Sequence, residues 1–148
     1  PWDKKWRLVI FDIPEKKKVF REALRRKLKE LGFALFQRSV WISPLPVDQF
    51  LRQLEQQLAN KSHFSLFVGS LEMGDEREFV RQLWPIDSWK DAAEEFLNQI
   101  KGQDGLTLKQ KHKFWQLVVS HPRVPIDLLP QDWPLKHMAR LFAKKMLG

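Results

Sequence analysis

Asp12 is the one acid in the first apolar run, WRLVIFDI (6–13), and a proline and a basic stretch follow it at once. A carboxylate at the end of a strand can ligate a hard divalent cation. With a second carboxylate, from elsewhere in the chain or from a symmetry mate, it could activate water for phosphodiester hydrolysis. The same residue can accept backbone N–H bonds at a helix start. The local sequence favours the cap. One carboxylate cannot hold Mg²⁺ tightly, and Lys16, Lys17 and Lys18 stand within six residues of it, where they oppose a dication. Pro14 and Glu15 suit a first helical turn. The histidines are His63, His112, His121 and His137, and no two of them have an HxxxH or HExxH spacing. His121, just before Pro122, is expected to meet the last carbonyls of a helix. No serine sits in a G-x-S-x-G elbow, and no glycine-rich loop could cradle a phosphate. Cysteine is absent, which excludes thiolate nucleophiles, thiolate metal sites and disulfides and suits a reducing compartment. The expectation is a protein without catalytic residues, metal ligands or a cofactor.

Cationic side chains are the stronger chemical signal. The net charge is +8, and residues 1–38 hold 12 Lys and Arg against 5 Asp and Glu. The remaining 110 residues are close to neutral. Such asymmetry points to a polyanion, with nucleic acid first and an acidic membrane second; a merely basic soluble surface is the plainer alternative. Lys16, Lys17, Lys18, Arg21, Arg25 and Lys29 are the expected contacts to duplex DNA phosphates. Phosphate contacts position a protein but carry no sequence selectivity. Seven tryptophans lie mostly within apolar segments and are expected in the core. Trp2 and Trp6, set among Lys4, Lys5 and Arg7, are the exception that could offer a stacking platform to single strands.

These residues need elements to hold them. WRLVIFDI reads as a short buried strand. PEKKKVFREALRRKLKELG reads as a helix from Pro14 to a Gly32 stop, with Val19, Phe20, Ala23, Leu24, Leu28 and Leu31 on one face. Lys18, Arg21, Arg25 and Lys29 fall on another. FALFQRSVWIS (33–43) is one bulged strand or two strands about a tight turn. VDQFLRQLEQQLAN (47–60) is a second amphipathic helix, with Phe50, Leu51, Leu54 and Leu58 on its apolar side, and HFSLFVGSLEM (63–73) is a strand. Helices alternating with strands in this order fit a ferredoxin-like split βαβ unit. After Gly74 the pattern is helical: 75–84, 87–100, 107–122 and 135–147, with a loop bearing three prolines (RVPIDLLPQDWP) before the last. The expected class is α+β, a ferredoxin-like βαββαβ domain at 1–74 followed by a helical domain at 75–148.

At 43% hydrophobic and 12% aromatic residues the chain can bury a real core. No run approaches the eighteen apolar residues of a membrane span, and the charged start PWDKKW has no apolar leader stretch. A first residue of Pro rather than Met suggests a piece of something longer. The expected location is cytoplasmic, with no membrane partner. The apolar strands in 33–43 and 63–73 would leave a sheet edge open unless paired, so a homodimer is expected.

Two sets of residues carry a resemblance. LVIFDI, the basic helix, LKELGF and FQRSVWIS resemble the small CRISPR-associated spacer-acquisition protein of ferredoxin-like fold, over about residues 7–73. WDKKWRLVIFDIPE, LWPIDSWKDAAEEFLNQI and above all FWQLVVSHPRVPIDLLPQDWP resemble the phenylacetate-catabolism repressor (PaaX-like) family, over essentially the whole chain. The second resemblance implies a central ferredoxin-like domain and a helical C-terminal region. It also implies a DNA-associated transcriptional repressor whose effector is an aryl-CoA thioester. Family repressors read DNA through an N-terminal winged helix that these 148 residues do not include. No motif marks effector-binding residues. Asp12 matches the metal-binding Asp of the CRISPR relatives, which keeps a metal-dependent nuclease or CRISPR-adaptation protein as the alternative reading.

Overall fold

A computed structural model describes residues 1–57 and 64–146. Leu58, His63 and Leu147, and with them the expected end of the second helix, start of the last strand and end of the final helix, lie outside the described residues. The chain divides into two compact units. One comprises Pro1–Trp84 with Arg123–Leu128, the other Pro85–Pro122 with Leu129–Gly148.

The first unit is built on β1 (Trp6–Phe11), α1 (Lys18–Glu30), β2 (Ala34–Gln37), β3 (Val40–Ser43), α2 (Asp48–Gln57) and β4 (Phe64–Gly69). The sheet order is β2-β3-β1-β4 with every neighbour antiparallel. That is the split βαβ arrangement: β1 and β4 are central and edge neighbours, and each βα crossover skips a strand. Alternation along β1 turns Val9 and Phe11 to one face, where Trp41 and Phe64 join them. Leu24 and Leu28 of α1 and Leu51 of α2 close this core. Val19 is 85% exposed and Phe50 59% exposed, so neither belongs to the apolar face assigned to it, and Ala23 is exposed as well.

The 33–43 stretch is two strands, joined at Arg38-Ser39, with Arg38 at φ 27° and a register shift between Leu35 and Gln37. Both expected alternatives are thus present, a tight turn and a bulge. α1 ends at Gly32, which takes φ 93°. The Phe33 N–H donates to the Leu28 carbonyl at 2.9 Å and the Gly32 N–H to Lys29 at 3.0 Å, the Schellman pattern. A Cβ on Gly32 would come within 2.8 Å of the Arg123 Cβ, so the position needs glycine for space as well as for conformation.

α3 (Glu76–Leu83), capped by Asp75, belongs to this same unit, so the boundary expected after residue 74 falls ahead of it. Its Phe79 packs edge-on against Trp6 at 5.2 Å, and Trp84 lies 6.3 Å from Trp6. Trp6, 3% exposed, is therefore a core residue and not a stacking platform; Trp2 is half-buried, its indole N–H donating to the Pro44 carbonyl.

The second unit holds α4 (Ile86–Gln99), α5 (Leu108–Val119) and α6 (Leu135–Leu141), the last followed by a π-helical turn, Phe142–Met146. Thr107 and Gln110 form a capping box at the start of α5. No described helix is long and apolar enough to cross a membrane.

Candidate nucleic-acid interface

The positive charge gathers where the chain turns from β1 into α1. Pro14 is still extended (ψ 152°), and the helix begins as a 3-10 turn, Glu15–Lys17, before α1 proper at Lys18. This start corrects the reading of Asp12. Neither turn has a side-chain cap, and Asp12 sits two residues ahead of the cap position, exposed. An extended proline between them carries the backbone N–H groups out of its reach. Asp12 is thus not a cap. Within this chain, no group of three or more His, Asp or Glu able to hold a metal occurs among the described residues.

Lys16, Lys17 and Lys18 are all exposed at this uncapped helix start, and Lys29 is exposed three turns on. Lysines at a helix N-terminus oppose the macrodipole, so the site is electrostatically unfavourable until an anion arrives. Arg21 and Arg25 differ from them. Arg21 is 20% exposed and reaches Glu15 at 3.5 Å and Glu22 at 3.9 Å. Arg25 meets Glu22 at 3.2 Å. Their charges are partly neutralised at home: the Glu22–Arg25 pair has a helical i, i+3 spacing that the sequence offers, whereas Glu15 lies on the 3-10 turn ahead of α1. The structure thus brings four exposed lysines and two engaged arginines to the 3-10 turn and the helix α1 that continues it.

Arg7 leaves the phosphate-binding pool entirely. Only 3% exposed, it is held by Asp48 at 2.6 Å and by Asp3 at 2.6 Å. The hydrogen bond from Arg7 lowers the Asp3 carboxyl to about 2, while Arg7 itself is raised by the same bond. The pair ties β1 to the start of α2.

A different feature lies in the second unit. A half-open cavity of about 510 Å³ is lined by Trp89, Phe114, Trp115, His121, Met138 and Phe142, among others. Its size suits a small organic ligand. His121 brings the ring nitrogens of this wall that can accept a hydrogen bond, and Nε2 is engaged. Nε2 accepts a 2.9 Å hydrogen bond from the Trp133 indole N–H, and the ring stands edge-on to Trp89 at 4.7 Å. Trp133 can only donate, so the His121 ring is neutral with its proton on Nδ1. Burial pushes its pKa down, against a backbone hydrogen bond at Pro122 that raises it. The expectation that His121 caps a helix is corrected: the ring turns to Trp133. These lining residues come from α4, α5, α6 and the segments that follow the last two, and all but His121 read in sequence only as further apolar residues.

A four-stranded antiparallel sheet of split βαβ order with its helices packed on one core defines a class, an α+β domain. The model of the PaaX protein central Cas2-like domain matches residues 1–80, and the chain belongs to that family. Among solved structures the chain resembles an uncharacterized protein, Rv0674, from Mycobacterium tuberculosis, with 20% sequence identity and a TM-score of 0.73. The likeness covers 96% of this chain and 58% of that one, so this chain spans little more than half the length of its structural relative. No protein with a curated description matches the sequence.

Proposed function

We propose that this chain is the non-enzymatic body of a PaaX-like transcriptional repressor, a cytoplasmic homodimer that holds duplex DNA by its phosphates and responds to an effector. The observation that carries the reading is the set of exposed lysines at the start of α1, in a domain of the PaaX family. Lys16, Lys17, Lys18 and Lys29 make the principal phosphate contacts, and Arg21 and Arg25 contribute the N–H groups that Glu15 and Glu22 leave unused. Base selectivity resides in a separate module of the longer protein. The apolar cavity between α4, α5 and α6 takes the aryl end of an aryl-CoA-type effector, stacked on its tryptophans.

The test is a salt titration of duplex DNA binding. Affinity should fall steeply with salt and be indifferent to sequence. Replacing Lys16, Lys17, Lys18 and Lys29 together by Gln should reduce the slope of log K against log salt by about 4, close to 1 per phosphate contact. Replacing the exposed Lys109, Lys111 and Lys113 of α5 should leave it unchanged. Lys145 is unsuitable as a control because its Nζ donates to the Ile100 carbonyl. Equal losses from the two sets would remove the helix start from the reading.

A further inference from the structure

The two edges of the sheet are built differently. β2 is short, carries a register shift between Leu35 and Gln37, is followed by the charged Arg38 and is packed by α3. A bulge, a charge and a covering helix are the usual ways of blunting an edge. β4 has none of them. Its sequence, FSLFVG, contains no charge and no proline, and all six of its residues pair in unbroken register with β1. Its other side presents a row of backbone N–H and C=O groups that no strand among the described residues pairs. Phe67 is 57% exposed and Val68 43% exposed on that strand. Beside it runs a groove of about 420 Å³ lined by Leu51, Arg52 and Glu55 of α2 and by β4 itself.

We infer that the β4 edge pairs antiparallel with the β4 edge of a second copy, joining two four-stranded sheets into one of eight strands. The inference names the surface of the dimer proposed above and rests on that reading. An antiparallel strand edge is self-complementary about a twofold axis, as an isologous interface requires. The charges along the groove are self-complementary as well. α2 carries one cation and one anion there, Arg52 and Glu55, and neither has an ion-pair partner among the described residues. A twofold axis through the middle of β4 sets the two α2 helices antiparallel, so that Arg52 of each copy approaches Glu55 of the other. An unrelated acidic or basic partner would satisfy only half of that pattern.

The cysteine-free sequence allows a direct test on the whole chain. Single cysteines are placed in turn at Ser65, Leu66, Phe67 and Val68, with Phe36→Cys on β2 as control, and the proteins are oxidised mildly. Opposed residues of an antiparallel pair stand about 4.5–5.5 Å apart at Cα, within the range a disulfide spans. Disulfide dimers should peak at the one or two β4 positions nearest the axis and be absent at Phe36. In sedimentation, Arg52→Glu and Glu55→Arg should each weaken the dimer about five- to tenfold, and the double exchange should restore it. A dimer whose β4 cysteines do not cross-link, or whose charge exchange fails to rescue, overturns the edge and leaves the dimeric reading standing. A wild-type monomer at tens of micromolar overturns both.

Discussion

The hydrogen bond between His121 and Trp133 is conditional on a proton. Above its unfolded-state pKa of about 6.5 the ring is neutral in both states and the Trp133 N–H has its acceptor. Burial depresses the folded value, so protons bind the unfolded chain first. The stabilisation is therefore complete above about 6.5 and is lost as pH falls through the lowered folded value. Asp3 follows the same sign lower down: held at about 2 by Arg7, it contributes above the usual carboxylate range and stops contributing as pH falls through about 2. Urea midpoints measured from pH 7 to pH 2 should fall in two steps. His121→Phe should flatten the upper step and Asp3→Asn the lower; a single step untouched by either variant would contradict the assignment. The site was legible in sequence as far as composition reaches. Lys16, Lys17, Lys18 and Lys29 are exposed as their position in a basic run implies. Burial of Arg7 was not legible, because its partner is chosen by the fold: Asp48 is 41 residues from Arg7. The Arg25–Glu22 pair was legible in principle, since it has the i, i+3 spacing of a helix. Asp12 misled because one extended proline moves the helix start beyond its reach.

The C-terminal end of α1 shows how much one element depends on others. Its Glu30 carbonyl accepts from the Arg123 guanidinium and the Gly32 carbonyl from the Trp84 indole N–H. Gly32→Ala meets two penalties, a left-handed backbone and a Cβ pressed on Arg123, and should cost about 1–3 kcal/mol. A urea titration in which Gly32→Ala unfolds like wild type would show that Arg123 can step aside. Elements of this kind were the most legible part of the fold. Gly32 stops α1 as the sequence says, and the β-α-β-β-α-β order follows from alternating helical and strand periods. Two features escaped that reading. The end of the final helix widens into a π turn at Phe142–Met146, for which the pattern LFAKKM gives no warning. And α3, helical as expected, serves the sheet by covering Trp6, because amphipathic spacing states that a face is buried and not against what.

At the scale of the molecule, the first unit is discontinuous. Arg123–Leu128 return to it, with Val124 7% exposed and Leu128 4% exposed, while Asp127 accepts from the Trp2 amide and Arg77. Burying two such side chains stabilises by about 1.5–3 kcal/mol each. A fragment of residues 1–84 should therefore unfold at markedly lower urea than the sheet of the whole chain, as followed by far-UV circular dichroism. Equal midpoints would show that the returning segment adds nothing. The same discontinuity sets a schedule. On a ribosome adding roughly 5–20 residues per second, the strands and both sheet helices emerge some seconds before residues 123–128 do. During that interval the nascent chain has its sheet and its bare β4 edge but not the segment that completes the unit. Translation speed between codons 85 and 128 thus decides how long an adhesive, half-finished sheet stays in the company of its neighbours on the same message.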